Sequence, residues 1–240
     1  MCISVLIPIY NTNCDYFNQC LESIQHQTFK EVIEIIIIND GSSPDISTKI
    51  DNLVQEYNKN SDNHEYILFS LDKNHGIQHA LNVGLEKCSY ELIARMDADD
   101  IMKPKRLELQ YNHMIANPSI HILGGQCEMM DEHTKKIKYK TKHPYEISKK
   151  YLQSNINTHW FVNHPTVMFK KSIIMEVGGY KETLRGHAED VHLWLKLIKK
   201  GYHIFNVQEV VLTYRDCLTS LSHNFKCDVN NDIRRWILEL

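Results

Sequence analysis

Four β-branched apolar runs, separated by stretches with helical spacing, occupy the first hundred residues of this chain and limit its fold more than any other feature. The runs are Ile3 to Ile9, Val32 to Ile38, Tyr66 to Leu71 and Glu91 to Met96. After the first, Tyr16, Cys20 and Ile24 stand beside Phe17 and Leu21, and after the second come Ile46, Ile50, Leu53 and Tyr57, both at the intervals of an amphipathic helix. Ser42, Ser43 and Pro44 suit the start of the latter, where a hydroxyl cap and a fixed φ favour the first turn. Strands that alternate with helices are joined by right-handed crossovers, so the pattern predicts an α/β fold with a mostly parallel central sheet flanked by helices.

In such a sheet, ligands gather beyond the carboxyl ends of the strands. The residues there are Tyr10-Asn11, Asn39-Asp40-Gly41, Asp72 to Gly76 and Asp97 to Asp100, all polar or aromatic groups. A helix is expected from Lys103 to Ala116 with Leu107, Tyr111, Met114 and Ile115 inward, ended by Asn117-Pro118 and followed by a strand near Ile120 to Gln126. The second half is less regular. Lys135 to Lys142 reads as a solvated hairpin or loop, and the last clear helix runs from Glu189 to Lys200 and stops at Gly201. Beyond Asp216 the pattern fades.

Composition removes several classes. The 240 residues suffice for a sizeable core, with 42% hydrophobic and 24% charged residues as in ordinary soluble domains. A net charge of -3 gives no basis for nucleic-acid binding, so an anionic ligand must be held by local groups. The opening MCISVLIPIYN is broken by Pro8 and has no basic segment before it, unlike a secretory signal. No stretch approaches the roughly 18 apolar residues of a membrane span. Seven scattered cysteines without a CxxC pair favour reduced thiols in a cytoplasm-like compartment and argue against structural zinc.

Two carboxylate groups carry the candidate chemistry. In MDADD, Asp97, Asp99 and Asp100 crowd one turn after an apolar strand, and their repulsion is relieved by a cation of the Mg²⁺ or Mn²⁺ type or by hydrogen-bond donors. A solvated, capped loop would have the same composition. Glu189 and Asp190 open a helix, where acidic residues gain about 0.3–1 kcal/mol from the helix dipole and need no other role. Asn74-His75-Gly76 precedes a helix with Ile77, Leu81 and Leu85 inward, and its N-terminal N–H groups suit an anion.

Taken together and in order, SVLIPIYN, IIIINDGS, NHGIQHALNVGLEKC, IARMDADDIMKPKRLELQ, NHPTVMFKK, VGGY, EDVHLWLKLIKKGY and VLTYR resemble the family 2 glycosyltransferases of the GT-A fold, over about residues 3 to 222. The nearest likeness is to members that build surface polysaccharides. The resemblance implies a Rossmann-like nucleotide-sugar-binding half over 1–125, an irregular acceptor-side half of the same domain over 126–222, and a tail or start of a further segment over 223–240. It places Pro8 and Tyr10 against the nucleotide base and Asp40 at its polar edge; a carboxylate accepts the imino hydrogen of uracil, which points to a UDP-sugar. Asn74 and Gly76 fall beside the nucleotide. Asp97 is assigned to the ribose and the metal, Asp99 to direct metal ligation, and Asp100 to capping or to orienting its neighbours.

The resemblance further implies that Asp190 is the general base of an inverting displacement, with Glu189 positioning it or touching a sugar hydroxyl. His164 falls on the donor-sugar and acceptor side. Arg215 is expected to pair with the diphosphate through its planar fork. Where relatives carry a His two residues beyond such an Arg, this chain has Cys217, and His223 is the nearest alternative. Partners implied are a nucleotide-sugar donor and a glycan, lipid-linked or protein acceptor. A sugar-nucleotide pyrophosphorylase would open with a glycine-rich basic loop that IPIYN lacks, and a haloacid-type phosphatase would carry its acidic pair on the first strand. A non-catalytic nucleotide-sugar-binding module is the third alternative; Asp190 argues against it.

Overall fold

The computed structural model describes residues 2–61, 63–156, 161–183, 188–217 and 227–240. Strands β1 (Ile3–Ile9), β2 (Ile33–Asn39), β3 (His64–Ser70) and β4 (Leu92–Arg95) alternate with helices α1 (Cys14–Gln25), α2 (Pro44–Lys59) and α3 (Ile77–Lys87). These follow the four apolar runs to within two residues. Then come β5 (Ile101–Met102), α4 (Arg106–Ala116), β6 (Ile122–Asp131), β7 (Ile137–Lys140), β8 (Glu146–Ile147), α5 (Lys149–Ser154), β9 (Met168–Lys170), α6 (Lys171–Glu176), α7 (Glu189–Lys199), β10 (Ile204–Asp216) and α8 (Cys227–Leu238).

One ten-stranded sheet holds them together, in the order β3-β2-β1-β4-β9-β6-β10-β5, with β7 on β6 and β8 on β10. The β1–β2, β2–β3, β1–β4 and β6–β10 pairs are parallel, and β9 runs antiparallel between β4 and β6. Both faces are covered. Ile3, Val5, Ile7, Ile33, Ile35 and Ile37 pack under α1, α2 and α4 through Phe17, Leu21, Ile50 and Leu107. Their alternates Leu6, Ile36 and Ile38 pack with Leu81, Leu85, Ile174, Trp194 and Ile233 on the opposite side. This two-faced burial is why β1 and β2 read as continuous apolar runs rather than alternating ones.

Two expectations are corrected. The helix expected from Lys103 starts at Arg106, because Pro104 disfavours helical backbone at Lys103 and residues 101–102 pair with β10 instead. Ile115 is 49% exposed rather than inward; buried Arg106 and Gln110 take part of that face. In the second half, β6 extends over 10 residues to Asp131 and β10 over 13. Residues 137–140 form an exposed edge strand, as a solvated hairpin would, and Gly201 follows the C-cap of α7. Beyond Asp216, α8 buries Ile233 and Ile237, while His223 lies outside the described residues.

Candidate active site

The ends of β1 and β4, the start of α7, the 163–165 segment and the last residues of β10 enclose a cleft of about 1120 Å³. Pro8, Tyr10, Asp97, Asp99, His164, Glu189 and Asp190 all line it. Asp40, Asn74, Gly76 and Arg215 do not.

At the first strand end, Asn11 and the 42–43 segment exchange hydrogen bonds, from Asn11 N to Ser42 Oγ at 2.8 Å and from Ser43 N to Asn11 Oδ1 at 2.9 Å. This tie fixes the loop that presents Tyr10, which is 52% exposed and available for stacking. Asp40 is buried, and its two oxygens accept the backbone N–H groups of His75 and Gly76, each at 2.8 Å. It therefore clamps the 74–76 loop instead of presenting a free edge. Gly41 makes that approach feasible: its φ is +68°, and a Cβ there would lie 2.2 Å from the backbone carbon of Lys73. Asn74 itself is exposed.

The acidic turn after β4 is braced by buried arginines. Arg95 Nη2 donates to Asp97 Oδ1 at 2.6 Å, and Arg106 Nη2 donates to the Arg95 carbonyl at 2.8 Å. Arg215 Nε donates to the Asp99 carbonyl at 2.7 Å and Nη2 to Gln19 Oε1 at 2.8 Å, with the guanidinium carbon 3.9 Å from the Tyr16 ring centre. Its backbone N–H donates to Asp100 Oδ1 at 2.8 Å. The arginine expected on the diphosphate is thus engaged by the turn itself, and Asp100 orients that brace from a buried position. Burial and the neighbouring charge of Asp97 push the Asp99 carboxyl up to about 6; burial, Asp99 and Asp97 push Asp100 well above the usual range. Crowded carboxylates of this kind are relieved by a cation, so Asp97 and Asp99 fit a divalent metal. Among the described residues no cluster of three or more His, Cys, Asp or Glu side chains forms a metal cage. Two carboxylates would leave the remaining positions to ligand oxygens and water, as Mg²⁺ usually requires.

Across the cleft, Ala188 takes a left-handed conformation at φ 44° and turns the chain into α7, so that Glu189 and Asp190 face inward. Burial, with the charge of Asp190 next, pushes Glu189 up to about 7, and burial raises Asp190 as well. His164 is 6% exposed, with Nδ1 4.0 Å from Glu189 Oε1 and Nε2 2.8 Å from the Tyr180 hydroxyl. Burial holds it far below its ordinary value, so the ring is neutral.

Arg95, Tyr16, His143, Asn163 and Tyr180 received no role at the site from the sequence. Arg95 had a signal: it stands two residues before Asp97, and alternate residues of an extended segment share a face. The contact of the Arg215 guanidinium with the Tyr16 ring joins residues 199 positions apart, and no local pattern reports it.

The family model for glycosyl transferase family 2 matches residues 4–178. Among curated proteins, the chain is 33% identical to the amylovoran biosynthesis glycosyltransferase AmsE of Erwinia amylovora, over 88% of this chain and 75% of that protein. It is 34% identical to the UDP-Gal:alpha-D-GlcNAc-diphosphoundecaprenol beta-1,3-galactosyltransferase of Escherichia coli, over 88% of this chain and 73% of that one. The fold matches S. aureus TarS 1–349, solved in complex with UDP-GlcNAc, at a TM-score of 0.73 and 18% identity, covering 99% of this chain and 65% of TarS 1–349. A mannosyltransferase of Pyrobaculum calidifontis in complex with GDP-Man and Mn²⁺ matches at 0.68 and 15%, over 92% of this chain and 59% of that one. The chain thus spans less than two thirds of these solved structures, and the family match ends before Glu189.

Proposed function

Given that the chain belongs to glycosyl transferase family 2 and shares its GT-A fold with solved glycosyltransferases, we propose that it moves a sugar from a nucleotide-diphosphate donor to an acceptor hydroxyl by a single inverting displacement. The observation that carries this is the shared cleft: Tyr10, Asp97 and Asp99 open on the same space as Glu189 and Asp190.

Pro8 and Tyr10 hold the base, and the loop clamped by Asp40 borders the nucleotide. Asp99 and Asp97 hold a Mn²⁺ or Mg²⁺ ion, which when bound supplies Lewis-acid charge to the departing diphosphate. Asp190 takes the proton of the acceptor hydroxyl as its oxygen bonds to the anomeric carbon. The bond from that carbon to the phosphate oxygen breaks with its electron pair, and the nucleoside diphosphate leaves from the opposite face. Glu189 orients Asp190. Arg215 and Arg106 act beneath the turn, keeping Asp97 and Asp99 in place while no side chain of theirs enters the cleft.

The donor is a UDP-sugar in this reading, in line with the uracil nucleotides of the TarS complex and of the E. coli relative's name. The acceptor is a glycan, free or lipid-linked, or a protein; polysaccharide biosynthesis by the relatives favours a glycan. Calorimetry tests the donor site. UDP should bind more tightly with Mn²⁺ than with EDTA, and Asp99→Asn should remove the difference. Equal affinity in both conditions would refute the metal assignment, and tighter binding of GDP than UDP would move the donor to another nucleotide class.

A further inference from the structure

Tyr180 belongs to none of the groups above, yet its hydroxyl decides the chemistry of a cleft side chain. It ends the VGGY segment, is 2% exposed, and its backbone is gripped from both sides by Asn82 of α3: Tyr180 N donates to Asn82 Oδ1 at 2.8 Å, and Asn82 Nδ2 donates to the Tyr180 carbonyl at 2.9 Å. Gly179 permits this approach, with φ +62° and a hypothetical Cβ only 2.5 Å from Asn82 Oδ1. The ring is thereby set against His164, at 5.5 Å between centroids, with Trp194 closing another side of the imidazole edge-on at 5.7 Å.

A buried phenol must give its proton to an acceptor. Among the described residues, the partner of the Tyr180 oxygen is His164 Nε2 at 2.8 Å. If the phenol donates, Nε2 carries the lone pair, and the ring proton of a neutral imidazole must sit on Nδ1. Nδ1 is the nitrogen that faces Glu189 Oε1, 4.0 Å away. That gap exceeds a direct hydrogen bond, so the ring N–H acts on the carboxylate electrostatically across it.

We propose that Tyr180 is a positioning residue for transfer: by donating to His164 Nε2 it fixes the Nδ1–H tautomer, which turns an N–H rather than a lone pair toward Glu189 and so holds that carboxylate beside Asp190. With the other tautomer, two electron-rich atoms would face each other and Glu189 would turn away. Burial raises the Tyr180 phenol above its ordinary range and depresses the His164 imidazole, so both groups keep these protonation states around neutral pH. The functional part rests on the acceptor-side role given to Glu189 and Asp190; the tautomer does not.

Nitrogen-15 NMR of labelled histidine tests it, with the His164→Gln spectrum identifying the signals of that ring. The wild-type protein should show His164 protonated on Nδ1 alone. Tyr180→Phe keeps the ring and removes only the donor, so its His164 should become a mixture of tautomers. With a nucleotide-sugar and acceptor that the wild type turns over, the variant's kcat should fall about tenfold, the low end of what partners orienting an active group contribute, while donor affinity stays within about twofold. A wild-type ring protonated on Nε2 would overturn the proposal, as would a Tyr180→Phe protein with an unchanged tautomer and kcat. The wild-type spectrum decides the tautomer even if the variant folds poorly, and it reads the same in the absence of any substrate.

Discussion

Asp97 and Asp99 stand on a strand-end turn tied down by the buried Arg95, Arg106 and Arg215, whereas Glu189 and Asp190 open a helix after a left-handed residue, with the neutral His164 ring 4.0 Å from Glu189. The same residue types meet two environments. On the first side, fixed positive charge keeps a crowded turn together and leaves two carboxylates facing the cleft, where the proposed cation would bind. On the second, burial raises both carboxyls, and among the described residues neither forms an ion pair with a lysine or arginine, which suits groups that must take up a proton. In the proposed reading, environment rather than residue identity separates metal holding from proton acceptance.

The comparison breaks most sharply at Asp190. Asp190→Asn preserves size and helix start but removes the proton acceptor, so turnover should fall by about 10² or more with donor affinity nearly unchanged. Steady-state kinetics beside a binding titration would separate the two; normal turnover would move the base to Glu189 or elsewhere. On the braced side, Arg215→Gln should act without touching the cleft. It removes the donor to the Asp99 carbonyl and the contact on Tyr16, and metal-dependent UDP affinity should drop about tenfold, roughly 1.4 kcal/mol. An unchanged titration would mean that the turn holds its shape without the brace.

Asp40 sharpens the comparison from a third position. Asp40→Asn can still accept one of the two loop N–H bonds and loses the other, so UDP should bind several-fold more weakly, with an effect smaller than that of Arg215→Gln. If instead the variant selectively loses uracil over guanine nucleotides, the carboxylate reads the base as well as clamping the loop.

How much of this was legible differs between the same regions. The βα alternation, the strand ends and both carboxylate groups follow from local patterns: β1 and β2 are isoleucine-rich because both faces are covered, and α1 buries the i, i+3, i+4 set that its spacing names. The braces do not, because Arg215 meets Asp99 across 116 positions, through a strand whose pairing to β6 shifts register near Val210 and so breaks the period that would have announced it. Asp40 was legible as a functional position but not in its partner, since only the close passage of the 73–76 loop over Gly41 sets both of its oxygens on backbone N–H groups. Tyr180 was visible only as part of a motif; its hydroxyl acquires a meaning once Asn82 sets the ring against His164.

The remaining expectations concern pH dependence, which differs in position between the two sides. Asp99 must be ionised to hold a metal; its carboxyl is raised to about 6, so metal-strengthened UDP binding should be full above that pH and decline below it, toward about tenfold per unit. Turnover at saturating metal and donor should decline at higher pH than that, as the Glu189–Asp190 pair takes up a proton, with Glu189 near 7. A single common midpoint for binding and turnover would remove the distinction drawn between the two groups.

The most direct test is release of nucleoside diphosphate from a panel of nucleotide-sugars, run with Mn²⁺ and with EDTA. The expected result is that at least one UDP-sugar is turned over, only with the metal, and that a suitable acceptor hydroxyl accelerates it. Turnover of none of the panel, or equal turnover in EDTA, would contradict metal-dependent sugar transfer in this cleft.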